Sequence, residues 1–121
     1  MRPNINLNTY FDKMKLEDMN QIWSRMVDLK YRVAQLPHLE TKDHTGETFP
    51  ISGKPITEQD VRNMKAMAQS GMRYEVRKID KIMVSIGMES LFGTEEKERF
   101  TDEDYSQIIE RYHFLMAEPE K

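Results

Sequence analysis

No cysteine occurs among the 121 residues, so disulfides, thiolate zinc sites and cysteine nucleophiles are excluded outright, and a reducing, cytoplasmic setting is expected. Long apolar runs are missing too. No stretch approaches the roughly 18 apolar residues of a membrane span. The first residues, Met1-Arg2-Pro3-Asn4-Ile5-Asn6, lack the apolar segment of a signal peptide, so no membrane association is expected. Glycine is scarce: the five glycines stand apart and build no phosphate-binding loop, and neither an HExxH pair nor a Ser-His-Asp order is present. With no reaction motif and no cofactor fingerprint, the chain is expected to be non-enzymatic and to carry no cofactor.

What is present is 38% apolar and 32% charged, the composition of a chain that folds behind a heavily charged surface. Its length suits one compact domain, here 1–121. Ten methionines are an excess best read as flexible core filler, although the same flexibility serves adaptable binding faces. The net charge of −3 conceals a split. Residues 57–86 carry six Lys/Arg against four Asp/Glu, whereas 94–121 carry four against nine, so a local basic face is available but nonspecific nucleic-acid binding over the whole surface is not.

Three amphipathic segments organise the chain. Over 15–36, Met19, Ile22, Met26, Leu29, Val33 and Leu36 recur alternately three and four apart, and Trp23 beside this seam widens it to a bundle-type stripe. Pro37 is expected to stop the helix. Residues 37–56, punctuated by Pro37, Gly46, Pro50, Gly53 and Pro55, are expected to form an irregular loop or small β-hairpin turning at Asp43-His44-Thr45-Gly46. A second helix starts after Thr57, whose hydroxyl can cap it, with Glu58 and Asp60 in the first turn. Its stripe, Val61, Met64, Ala68, Met72, Val76, Ile79, Met83 and Ile86, keeps phase through Gly71, which favours one long helix over 57–86 rather than two.

Gly87 and Gly93 bracket a short apolar element over 88–92 that turns the chain over one end of the core. Phe100-Thr101-Asp102-Glu103-Asp104-Tyr105 then repeats the capped start, and Tyr105, Ile108, Ile109 and Tyr112 carry a third, shorter helix over 101–117. The expected fold is all-α: an antiparallel helical hairpin with a third shorter helix, similar to a three-helix bundle.

Few side chains invite chemistry. His38 and His44 share a loop with Glu40, Asp43 and Glu47, a nitrogen and oxygen donor set, but the spacing matches no established ligand pattern and no metal is expected. His113 is one turn from Glu110, which a surface ion pair explains. No carboxylate shows a sign of burial. The basic residues Arg62, Lys65, Arg73, Arg77, Lys78 and Lys81 are spaced along the long helix and could follow a phosphate backbone, although Glu58, Asp60, Glu75 and Asp80 dilute them. The favoured reading is protein binding, to another protein or a second copy of the chain, because the long helix outreaches its neighbours. The chain would then be an adaptor, assembly factor or inhibitor, of a size common among phage and mobile-element proteins. Large residues beside the stripes, Trp23, Tyr31, Phe49, Met67, Tyr74 and Phe92, are the expected anchors.

Overall fold

The computed structural model describes residues 7–41 and 46–117. It is all-α: α1 (Leu7–Phe11), α2 (Leu16–Thr41), α3 (Glu58–Ser85) and α4 (Asp102–Met116), with no strand among the described residues. α2 and α3 pair antiparallel, since Arg25 lies beside Glu75 whereas Arg32, further along α2, lies beside the earlier Gly71. Their two seams meet in a core where Ile22, Met26, Leu29, Met72, Val76 and Ile79 are fully buried, and Tyr105, Ile108, Tyr112 and Leu115 of α4 close it. Methionine is mainly core filler as expected: Met26, Met72 and Met83 are buried, and Met14, Met64, Met88 and Met116 pack against them.

Both expected caps form, and each is reciprocal. The Thr57 hydroxyl accepts from Asp60 N–H at 3.1 Å while the Asp60 carboxylate accepts from Thr57 N–H at 2.9 Å. Thr101 and Asp104 repeat this at 3.2 and 2.7 Å. Those backbone bonds hold both carboxyls below the usual carboxylate range, so each stabilises its helix at neutral pH and loses that effect as pH falls through the lowered value. α3 runs unbroken through Gly71, and the reason for glycine is proximity. A Cβ there would stand 2.6 Å from Arg32 Nε, so the hydrogen side chain lets Arg32 lie flat across α3. At the far end Gly87, with φ of +82°, ends α3 in a Schellman turn: Met88 N–H bonds the Met83 carbonyl and Gly87 N–H the Val84 carbonyl.

Three elements differ from expectation. Helix α2 does not stop at Pro37 but continues to Thr41. Proline inside a helix costs about 3 kcal/mol through its missing N–H and ring clash. Burying Leu39 beyond Leu36 returns roughly 1.5–3 kcal/mol, which offsets most of that cost. Replacing Pro37 with alanine should therefore stabilise the domain by about 1–2 kcal/mol and raise the thermal midpoint by a few degrees. A midpoint that stays or falls would show that the turn is not helical in solution. Second, α1 was not anticipated. It is a single turn that buries Leu7 and Tyr10. Third, the small hairpin exists only as one bridge, Thr48 with Pro55, and it turns at 50–53, where Phe49 N–H bonds the Lys54 carbonyl and Gly53 N–H the Phe49 carbonyl. The turn expected at Asp43-His44-Thr45-Gly46 lies outside the described residues except for Gly46.

The 88–92 element does cover the core, with Leu91 and Phe92 buried, and the group that holds it is unexpected. Asp80 of α3 is wholly buried and accepts from Phe92 N–H at 2.9 Å, Thr94 N–H at 2.7 Å and the Thr94 hydroxyl at 2.5 Å. Burial pushes its carboxyl above the usual range, against the bonds from Thr94 and Phe92.

Candidate protein-binding groove

The α2–α3 seam opens on one side into a cleft of about 760 Å³, lined by Asp28, Tyr31 and Arg32 of α2 and Met67, Ser70, Gly71, Tyr74 and Glu75 of α3. Its shape follows from spacing. On α3, Met67 and Tyr74 stand two turns apart on one face with the small Ser70 and Gly71 between them, so large side chains rim a hollow. Tyr31 rises from the facing helix. All three rim residues are unusually open for their size: Tyr31 is 71% exposed, Met67 64% and Tyr74 52%.

At the floor lies a second buried carboxylate. Glu75 Oε1 is 3.5 Å from Arg25, while Oε2 is buried with no hydrogen-bond partner. Burial pushes this carboxyl up and Arg25 draws it back, with Asp28 adding to the rise and Arg32 opposing it. Glu75 thus sits in a mixed cluster with Asp28 and Arg32, which also line the groove, and with Arg25 behind it. Arg25 also lies over the Tyr74 ring at 5.4 Å, and Lys78 lies over the same ring at 5.6 Å. Both contacts are within cation–π range of a ring that is half open to solvent.

A neighbouring cleft of about 260 Å³ shares Ser70 and Tyr74 and is otherwise cationic, lined by Arg73, Arg77, Lys78 and Lys81. Two of these cations already have structural work. Arg73 donates to the Tyr105 hydroxyl at 2.5 Å. Arg77 donates to the carbonyls of Lys97 and Glu98 and covers the Phe100 ring at 5.1 Å. Arg77 thus reaches across to the 97–100 segment, while Asp80, one turn along α3, is turned inward onto Phe92 and Thr94. Arg111, not singled out in the sequence, does similar work on α4, donating to the Leu91 carbonyl at 2.9 Å and the Tyr10 hydroxyl at 3.2 Å.

The residues picked from the sequence therefore separate. Tyr31, Met67 and Tyr74 come together in one groove. Trp23 is exposed elsewhere, on the outer face of α2 with Leu16 and Val27, and Phe49 is half-buried beside the turn at 50–53. Phe92 is buried in the core and offers no surface, because the Asp80 bond draws its backbone inward. Of the remaining basic positions, Arg62 is exposed and bonds Gln59 at 2.9 Å, and Lys65 is half-buried. The expectation of surface acids on α3 is corrected for Glu75 and Asp80, both buried. His113 stands edge-on to Tyr112 at 5.5 Å. Asp43, His44 and the side chains of His38 and Glu40 lie outside the described residues. Among the described residues no helix is long and apolar enough to cross a membrane. Compared with known protein families, curated proteins and solved structures, the chain matches none, so function must be read from this surface itself.

Proposed function

We propose that this chain is a non-enzymatic protein-binding module, an adaptor, assembly factor or inhibitor, that holds its partner in the groove between α2 and α3. One observation carries the reading: three large side chains that a folded domain would ordinarily cover stand open together around a single concave surface. Tyrosine and methionine suit that role, the first giving rigid amphipathic area and the second a side chain that adapts to its guest. The carboxylates with raised pKa supply no contrary sign of acid–base work. Asp80 is committed to the backbone of 92–94, and Glu75 sits against Arg25 beneath the groove.

The test is a comparative pull-down from the native cell with the wild-type chain and a Tyr31→Ser/Met67→Ser double variant. Both positions are exposed, so the variant should keep its stability to within about 0.5 kcal/mol. A genuine partner is recovered by the wild type and lost with the variant. Recovery that the double variant leaves unchanged sinks the groove. If the partner is a second copy, light scattering over a dilution series shows a dimer that the same variant dissociates.

A further inference from the structure

We infer that the groove and the cationic cleft form one continuous surface whose partner is an acidic, amphipathic peptide segment, its apolar side chains seated among Tyr31, Met67 and Tyr74 and its carboxylates on Lys78 and Lys81. The inference rests on the protein-binding reading above and names the chemistry of the partner. Ser70 and Tyr74 line both clefts, so the two adjoin along α3 with the Tyr74 ring as their shared wall. From Met67 to Lys81 the surface follows four turns of α3, roughly 21 Å at about 1.5 Å per residue, the length of a short helical segment.

Charge selects the partner. Lys78 packs on the Tyr74 ring and Lys81 is exposed, and among the described residues neither makes an ion pair. Among the described residues Arg73 and Arg77 bond neutral oxygens, a phenol and two carbonyls, and neither makes an ion pair with a carboxylate. Four cations around a cleft of about 260 Å³ give a local field that a few carboxylates would balance. A nucleic-acid duplex fits less well. It extends beyond the cleft, and past Arg77 its phosphates would meet the acidic run Glu95, Glu96 and Glu98, next to the carbonyls that Arg77 holds, whereas a peptide of about four helical turns ends at Lys81.

The experiment selects a displayed library of random peptides of about 16 residues on the full chain, then measures one selected peptide by fluorescence anisotropy. The expected winners carry two or more Asp or Glu within two helical turns of an aromatic residue or leucine. Lys78→Glu/Lys81→Glu should weaken such a peptide at least about ten-fold, and added salt should weaken it progressively. Neutral or basic winners that depend on Tyr31 and Met67 overturn the acidic partner and leave the groove standing. Acidic winners lost on charge reversal but indifferent to Tyr31→Ser/Met67→Ser support the cleft and remove the groove. An empty selection overturns both. Binding of a 20-base-pair DNA duplex at low salt, abolished by the same charge reversal, gives the cleft to phosphate and overturns the inference.

Discussion

Replacing Asp80 with alanine will cost the fold about 3–5 kcal/mol, a large share of what a domain this size has to lose. The estimate comes from the three donors it leaves behind. Phe92 N–H and Thr94 N–H are fixed by the backbone and cannot turn to another acceptor, while the Thr94 hydroxyl can rotate. Each orphaned buried N–H costs roughly 1–3 kcal/mol, and relief of the burial of one carboxylate offsets part of the sum. Urea unfolding followed by circular dichroism checks the total. Hydrogen exchange checks the mechanism, because the amides of 92 and 94 should lose protection first. An alanine variant as stable as wild type would mean that apolar burial of Leu91 and Phe92 holds the segment without the carboxylate.

Should alanine leave the chain unfolded, asparagine separates charge from geometry. Asp80→Asn keeps one acceptor oxygen and replaces the other with a donor facing Thr94, so a loss of about 1–3 kcal/mol is expected. Its pH dependence is the sharper sign. The folded pKa of Asp80 is raised, so between the ordinary carboxylate value and the raised one the native state holds a proton that the unfolded chain has released. The contribution of Asp80 to stability therefore declines as pH rises through that window and levels off above it. Asparagine removes this contribution, while that of Glu75, which has the same sign, stays.

Asp80 also shows where sequence reading stops. The long stripes of α2 and α3 were legible because a helix repeats its buried face every three or four residues, and Thr57 and Thr101 were legible because capping is local chemistry. Gly71 was read correctly from the unbroken phase around it, though its cause, the Arg32 side chain, belongs to another helix. Asp80 looks in the sequence like any acid on a charged helix. Its burial depends on a chain reversal at Gly87 that brings Phe92 and Thr94 back upon it. Leu39 likewise overrides Pro37 only because α2 has something to pack against, and α1 is too short to show a period. The groove was half legible. Tyr31, Met67 and Tyr74 could be picked as large residues beside a stripe, and so was Phe92, which the same criterion placed wrongly. What unites the three is the register of α2 against α3, and no pattern within either helix states it.

Within that groove the largest loss of binding is expected from Tyr74→Ala, by about 2–4 kcal/mol or roughly 30- to 1,000-fold in Kd. Tyr74 is the one large side chain that borders both clefts, and two cations pack on its ring, so its removal takes away an apolar wall and the platform that aligns Arg25 and Lys78. Tyr31, which borders the groove but not the cationic cleft, should cost less, on the order of ten-fold when changed to alanine. Because half of Tyr74 already faces solvent, stability should move by no more than about 1 kcal/mol, which separates lost binding from lost folding. Tyr74→Phe refines the cause. It keeps the ring and both cation contacts and removes only the hydroxyl, so near-full affinity is expected if the face of the ring does the binding. Isothermal titration with the captured partner or a selected peptide ranks the three variants. If the phenylalanine variant binds as poorly as alanine, the hydroxyl rather than the ring is the recognised group. If the alanine variant binds as well as wild type, the groove is not the working surface, and the exposed Trp23, Val27 and Leu16 on the outer face of α2 become the place to look.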